Sequence, residues 1–287
     1  MILGQVKTIV AALRAVYADS GFAMAGAVAF SFVLSLFPFC IFLGALAGVF
    51  GGDARAKEGV KQLFEIVPAP VAEALAPEVM EVMGRTRFDL LTYGAFIALF
   101  FATSAIESLR AALNVAYRQK ETRPYPVCLL QSSAFVILSA AGVLALTWGV
   151  VVGPEMVARI KPDWLLWLAD HGWLSLIMRL VIVSAVIGLQ LVAYHLWLAA
   201  GRRRLADVWP GVLVSVLLWL LAAQLFGSWL AFSNYARFYA GLTSIMSALV
   251  FFQISAIIIL LGAELNRGLL EIRNGASAAG GHAKPSG

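Results

Sequence analysis

Six long apolar stretches, separated by short charged loops, constrain this chain more than any other feature. An α-helix rises 1.5 Å per residue, so about 20 apolar residues cross a hydrocarbon core roughly 30 Å thick. Every stretch reaches that length. The sequence therefore predicts an all-α, polytopic helical membrane protein with six transmembrane helices. The predicted spans are Gly21–Phe50, Leu90–Leu109, Val127–Val152, Trp173–Ala200, Val208–Phe232 and Gly241–Leu265.

The composition agrees with this class. Hydrophobic residues make up 61% of the chain and charged residues only 13%, which is far from the balance of a soluble domain. The 287 residues leave room for one bundle and no separate soluble domain, so we predict a single six-span membrane domain over residues 1–274. The net charge of +5 comes from basic residues at helix ends, without a groove-reading motif, which argues against nucleic acid as a partner.

The positions of the basic residues predict the orientation of the bundle. Lysine and arginine concentrate in the N-terminal segment, in the loops that follow spans two and four, and in the C-terminal tail. Short loops rich in these residues stay on the cytoplasmic side of a membrane. We therefore expect both termini to be cytoplasmic.

Three further segments are predicted outside the spans. Residues 1–20 have helical apolar spacing and suggest a cytoplasmic amphipathic helix, lying either in the headgroup layer or against the base of the bundle. Residues 51–89 suggest a periplasmic loop of two short amphipathic helices, serving as a lid, as an interfacial anchor, or as a docking surface for a second copy or an envelope protein. The tail, residues 275–287, has no periodicity and is expected to be disordered.

Four stretches, in order along the chain, resemble the YihY/BrkB family of bacterial inner-membrane proteins. They are AVAFSFVLSLFP (Ala27–Pro38), SAIESLRAALNVAYRQKETRPY (Ser104–Tyr125), WPGVLVSVLLW (Trp209–Trp219) and FYAGLTSIMSALVFFQISAIIILLGAELN (Phe238–Asn266). The resemblance implies six spans, cytoplasmic termini and a location in the bacterial inner membrane. The family was long labelled ribonuclease BN, and envelope lipid transport, ion or osmolyte transport and serum resistance have been suggested for its members.

Ionisable residues within or beside the spans are the candidate site residues, because an ionisable side chain in a bilayer needs a partner or a wet cavity. Glu264, near the cytoplasmic end of span six, is a candidate proton, cation or headgroup contact. The alternative is a packing ion pair, with Arg110 or Arg123 as the expected partner. Arg179, inside span four, either reaches the outer headgroups or faces inward as an anion contact.

A second group of candidates lies at the end of span two. Glu107 and Arg110 are one helical turn apart, which suggests a local ion pair. Asn114, Glu121 and Arg123 follow in the family-like element. Together these residues are typical either of a site for a phosphate-bearing headgroup or of a polar tie between the loop and the bundle base.

No phosphate-binding loop, HExxH pair or GxSxG elbow is present, and the three histidines lie far apart in the sequence. We therefore expect no enzymatic activity, no cofactor and no metal site. The leading hypothesis is a protein that transports or positions a lipid-like or amphipathic molecule, with membrane lipids as its partners. An ion or small-solute transporter, and a structural or assembly protein of the envelope, are the alternatives.

Overall fold

The computed structural model describes residues 11–12, 14–18, 20–51, 88–160, 172–232 and 243–281. Within these residues the backbone forms long helices and no β-strand, which confirms the all-α prediction. The α-helices are α1 (Gly21–Gly51), α2 (Phe88–Ala116), α3 (Tyr125–Ile160), α4 (Gly172–Ala193), α5 (Leu205–Phe232) and α6 (Thr243–Gly281). Helix α4 continues directly into a π-helical turn, Tyr194–Leu198.

Each of the six predicted spans overlaps one of these helices. Among the described residues, three helical segments are both long enough and apolar enough to cross a membrane. They are Tyr125–Gly142, Leu205–Trp229 and Ile245–Asn274. The apolar segments Gly21–Ser35 and Val183–Leu198 are shorter. The helices thus have membrane-protein character, and the count of six spans stays a prediction.

The helices pack in chain order. Each contacts the next along the sequence, and α6 returns to contact α1, so that the six form a closed ring. Helix α2 also contacts α6 across the ring. Small side chains allow the close approach of α1, since Ala25 and Ala29 are buried there, as expected for helices packing within a membrane. The hydroxyls of Ser31 and Ser108 lie 2.9 Å apart and link α1 to α2.

Helices α5 and α6 touch backbone to backbone where Gly211 faces Gly262. A Cβ at Gly211 would overlap the carbonyl oxygen of Gly262, and a Cβ at Gly262 would lie 2.9 Å from the carbonyl oxygen of Gly211. The close approach brings side chains into reach of the facing backbone. Ser215 Oγ donates to the carbonyl of Ile258 at 3.1 Å, a contact between small polar residues and backbone that is common in membrane bundles.

The outer surface of α5 matches a lipid-facing helix. Trp209 and Trp229 lie about 30 Å apart along the helix at 1.5 Å per residue, which is close to the thickness of a hydrocarbon core. Tryptophan prefers the membrane–water interface. The exposed large side chains recur at every fourth residue between and beside them: Leu205, Trp209, Leu213, Leu217, Leu221, Leu225 and Trp229.

The start of α5 is capped from within and tied to α6. Asp207 Oδ2 accepts the backbone N–H of Arg204 at 2.9 Å, the back-bond of a capping box, which satisfies one of the free donors at a helix start. Its other oxygen accepts from Arg273 Nη2 at 2.6 Å. The acidic residue therefore joins the first turn of α5 to the far part of α6.

Two predictions about the chain termini have different outcomes. In the N-terminal segment, residues 11–12 and 14–18 are helical, and Ala12 and Val16 are buried, which favours the alternative of a helix packed against the bundle. The prediction of a disordered tail from residue 275 is wrong for residues 275–281, because α6 continues to Gly281. The segment holds three alanines and three glycines, so the continuation of an existing helix outweighs its mixed helix propensity. Residues 282–287, and residues 52–87 of the predicted outer loop, lie outside the described residues.

The Gly211–Gly262 contact predicts a strong asymmetry between two substitutions on α5. Gly211→Ala should destabilise the bundle by about 1–3 kcal/mol, because the added methyl group overlaps the α6 backbone. Gly227→Ala, on the same helix, meets nothing within 4 Å and should be neutral or stabilising by up to about 1 kcal/mol. Thermal unfolding in detergent micelles measures both, and equal effects would contradict the contact.

Candidate functional site

One face of α2 carries polar side chains into the bundle. Glu107, Arg110 and Asn114 follow one another at helical spacing and so share a face, and Tyr117 continues this spacing one residue past the end of α2. Arg110 is only 2% exposed, and Asn114 and Tyr117 are also buried. Buried polar groups are costly unless they are hydrogen-bonded, and more so in a membrane. The partners of these side chains therefore show what the face does.

Glu107, Arg110 and Ser132 of α3 form a compact group, which we call the Glu107–Arg110 site. Arg110 Nη2 donates to Ser132 Oγ at 2.7 Å and to the carbonyl oxygen of Cys128 at 2.8 Å. Ser132 Oγ donates in turn to Glu107 Oε1 at 2.6 Å. The predicted pair of Glu107 with Arg110 is present, at 3.4 Å.

Most of the Arg110 guanidinium is unused in this arrangement. Its Nε and Nη1 atoms are buried and make no hydrogen bond with any described residue. A guanidinium carries five N–H donors, and Arg110 places only two of them. A buried donor without an acceptor costs about 1–3 kcal/mol, so this site holds hydrogen-bonding capacity that the described protein does not satisfy.

Arg123 is the opposite case. Its Nε and Nη2 donate to the two carboxylate oxygens of Glu121, each at 2.7 Å. Nη2 also donates to the carbonyl of Leu198, and Nη1 to the carbonyl of Trp197 and to Gln131 Oε1, at 2.8, 3.0 and 2.8 Å respectively. All five donors of this guanidinium are engaged.

These contacts satisfy the end of the π-helical turn. The last carbonyls of a helix have no partner within it, and a bilayer core offers no water to replace one. Asn114 completes the arrangement, since its Oδ1 accepts the backbone N–H of Ala200 at 2.7 Å and its Nδ2 donates to Glu121 at 3.1 Å. We call Asn114, Glu121, Arg123 and Gln131 the Arg123 clamp.

Glu121 and Arg123, the two ionisable residues of the clamp, shift each other's pKa. Hydrogen bonds from Arg123 lower the pKa of Glu121 to about 2, and the carboxylate in turn raises the pKa of Arg123. The pair therefore keeps both charges at neutral pH. Of the two interpretations open from the sequence, these contacts are those of a polar tie between the loop and the bundle base.

Arg203 supports the same helix end from the other side. It donates to the carbonyl oxygens of His195 and Ala200, at 3.2 and 2.7 Å, and its guanidinium carbon lies 3.5 Å from the centre of the Tyr117 ring. Such a cation–π contact is favourable when it is shielded from water. Burial raises the pKa of Tyr117 to about 12, so the phenol stays protonated.

A directed chain of hydrogen bonds starts at α5 and ends at His195. The backbone N–H of Gly211 donates to Asn266 Oδ1 at 2.7 Å, which leaves Asn266 Nδ2 to donate to the Tyr117 hydroxyl at 3.3 Å. The hydroxyl oxygen lies 2.8 Å from His195 Nδ1, and the donor of this hydrogen bond depends on the histidine tautomer. We expect the hydroxyl to donate, which makes His195 a neutral imidazole with its proton on Nε2. That fully buried atom has no partner among the described residues.

Glu264 forms a separate ion pair, and not the one expected. Arg267, one helical turn further along α6, donates to Glu264 Oε2 through Nη2 at 2.5 Å and through Nε at 3.0 Å. The expectation that Arg110 or Arg123 would be the partner is wrong. Arg110 donates to α3, and Arg123 donates to Glu121, to α3 and to the π-helical end. Arg267 also forms an ion pair with Glu271 at 2.6 Å, so Glu264, Arg267 and Glu271 form a row of ion pairs along α6.

The predicted site residues thus fall into distinct groups. Glu107 and Arg110 belong to one site, Asn114 and Arg123 to the neighbouring clamp, and Glu264 to α6. Arg179 lies in α4, and its side chain is outside the described part of the structure. Sequence reasoning missed the roles of Ser132, Gln131, Arg203 and Asn266. Asn266 had the best available signal, as the last residue of the GAELN element.

Comparison with known proteins agrees with the fold and the family-like elements. The family model described as virulence factor BrkB matches residues 12–286. The chain belongs to the BrkB family. The resemblance seen in the sequence is therefore confirmed, and a membrane location follows from the family together with the apolar helices.

The chain is similar to a ribonuclease-like protein, YfkH, of Bacillus subtilis (strain 168). It is 26% identical to this BrkB-family protein over 249 residues, which cover 83% of this chain and 86% of the relative. No solved structure matches the chain. Among the described residues, no three histidine, cysteine or acidic side chains form a group that could hold a metal ion.

The saturated guanidinium of the clamp predicts that lysine cannot replace Arg123. Arg123→Lys keeps the charge but loses the fork that serves Glu121 and two carbonyls at once. We expect a loss of about 2–4 kcal/mol of stability, from several charge-assisted hydrogen bonds. Arg202→Lys, exposed on the neighbouring loop, is the matched control and should change little. Thermal unfolding in detergent tests this, and equal melting temperatures would count against the clamp.

The hydrogen-bond chain predicts the tautomer of His195. The protein has only three histidines, so ¹⁵N-histidine labelling followed by NMR in nanodiscs gives few signals, and His195→Gln assigns one of them. We expect that signal to show a protonated Nε2 and an Nδ1 that accepts a hydrogen bond. Tyr117→Phe should shift the Nδ1 resonance alone. A proton on Nδ1 in the unsubstituted protein would refute the chain.

Proposed function

We propose that this BrkB-family protein is an inner-membrane protein that transports or positions a lipid-like or amphipathic molecule, without catalysing a reaction. The observation that carries the proposal is the Glu107–Arg110 site. It combines a buried cation, unused hydrogen-bond donors and a partly exposed carboxylate at one end of an apolar bundle. Buried polar groups of this kind are typical of sites that recognise a polar group carried into an apolar surrounding.

The position of the site supports an amphipathic ligand. Arg110 and Glu107 contact α3 at Cys128 and Ser132, about 5 to 10 Å along the helix from exposed Tyr125 at 1.5 Å per residue. Tyrosine is common at the level of the headgroups. A molecule with an apolar body and a polar head therefore has its head near the site while its body lies along the helices.

The same end of the bundle is the one we assign to the cytoplasm. Lys120, Arg202 and Arg204 are exposed there, beside exposed Trp197 and Trp209. Basic residues next to interfacial aromatic residues favour the cytoplasmic leaflet, where anionic lipids attract them. The ends of α2, α4 and α6 meet at this side, which fits cytoplasmic termini.

Lipid mass spectrometry tests the proposal. The protein is purified in detergent, washed extensively, and its retained lipids are compared with the bulk membrane extract. We expect selective retention of one lipid class, which Arg110→Lys reduces and the exposed control Arg202→Lys leaves unchanged. Retained lipids that match the bulk membrane, in wild type and both variants, would overturn lipid handling. Ion or solute flux in proteoliposomes would then be the next measurement.

A further inference from the structure

The Glu107–Arg110 site holds one positive and one negative charge. Both residues have hydrogen-bonding atoms without a partner among the described residues. Arg110 has free donors at Nε and Nη1. Among the described residues, the hydrogen bond to Glu107 reaches Oε1 only, from Ser132, and leaves Oε2 as a free acceptor. One site thus offers unused donors from a cation beside an unused acceptor from an anion.

This combination limits the ligands that fit. A simple oxyanion would accept from a free N–H of the guanidinium, because hydrogen bonds between arginine and phosphate are strengthened by their charges. It would also place a second negative charge beside Glu107, which is unfavourable in a low-dielectric surrounding. A simple cation meets the opposite problem beside Arg110. A neutral, dipolar head that carries both charges meets neither.

We propose that the Glu107–Arg110 site binds a zwitterionic head group with a phosphate and a primary ammonium, as in phosphatidylethanolamine. This assignment rests on the proposed function. A phosphate oxygen accepts from one free N–H of Arg110, at Nη1 or at Nε, because these two groups point in different directions and cannot form a fork. The ammonium group donates to Glu107, since an –NH₃⁺ group has three donors and a carboxylate is an acceptor only. The net charge of the site does not change on binding.

The carboxylate side of the site reaches the apolar surface of the bundle. The Glu107 side chain is 24% exposed, whereas that of Arg110 is 3% exposed. On α2, Glu107 lies between the exposed apolar residues Phe100 and Val115, and on α3 Leu130 is exposed nearby along the chain. The carboxylate therefore forms the open edge of the site, with the guanidinium behind it.

Binding of three phospholipids to the purified protein, followed by native mass spectrometry, tests this assignment. The lipids share their acyl chains and carry ethanolamine, choline or glycerol as the head. Choline has no N–H donor and phosphatidylglycerol has no ammonium group. We expect phosphatidylethanolamine to bind on the order of tenfold more tightly than either, the difference that one charge-assisted hydrogen bond makes.

The two partners of the site should respond in different ways. Glu107→Gln should bring phosphatidylethanolamine down to the level of phosphatidylcholine and raise the affinity for phosphatidylglycerol, because the repelling carboxylate is gone. Arg110→Lys should weaken binding of all three lipids, because a lysine ammonium does not reproduce the planar, branched donor geometry that serves α3 and the phosphate together. The exposed carboxylate variant Glu271→Gln is the control and should behave as wild type. Melting temperatures, measured alongside, show whether each variant is folded.

Several outcomes would overturn the assignment. Equal binding of the ethanolamine and glycerol lipids to wild type would do so, as would an ethanolamine preference that survives both substitutions. In the second case selective lipid binding remains and only the site is wrong. Free phosphoethanolamine and inorganic phosphate serve as chain-free competitors. Competition by phosphoethanolamine at the concentration that suffices for the lipid would keep the head chemistry and contradict a lipid ligand, and with it the proposed function.

Discussion

The end of α4 imposes the constraint on which this side of the molecule depends. A helix that ends inside or beside a bilayer leaves carbonyl oxygens without partners, and water cannot serve them cheaply there. Here a π-helical turn brings Trp197 and Leu198 to that end, and Arg123 donates to both carbonyls. Arg203 serves two further carbonyls from the following loop. The arginines that sequence reading treats as topology signals are thus also the caps of a helix.

The guanidinium groups of Arg123 and Arg110 have different roles, since one stabilises the fold and the other keeps free hydrogen-bond donors. Arg123 uses all its donors on protein acceptors, so its role is complete without a ligand. Arg110 lies 13 residues earlier in the chain, is more deeply buried, and leaves Nε and Nη1 unused. Both arginines have a glutamate partner. The two arginines differ in how many of their N–H donors have an acceptor, and this difference distinguishes the clamp from the candidate binding site.

Much of the fold could be predicted from the sequence, because apolar length and helical spacing are local properties. Each of the six stretches overlaps a helix, and the Glu107–Arg110 pair follows from i, i+3 spacing alone. Contacts between distant segments could not be predicted in this way. The partner of Asn114 is the backbone of Ala200, and that pairing depends on a π-helical turn whose sequence carries no distinctive signal.

The errors have physical reasons as well. Glu264 pairs with Arg267, its neighbour on α6, because a partner one turn away needs no second helix to be placed correctly. The tail after Asn274 lacks apolar periodicity, yet α6 continues through it to Gly281, since propagation of an existing helix costs far less than starting one. Local helix physics outweighed the pattern in both cases.

We infer that the clamp stabilises the fold whereas the Glu107–Arg110 site binds the ligand. Lipid-dependent thermal unfolding tests this division most directly. A ligand raises the melting temperature only of a protein that binds it. Phosphatidylethanolamine should therefore raise the melting temperature of wild type and, from a lower starting value, that of Arg123→Lys by a similar amount. It should leave Arg110→Lys unchanged. An equal upward shift in Arg110→Lys, or its loss in Arg123→Lys alone, would contradict the division.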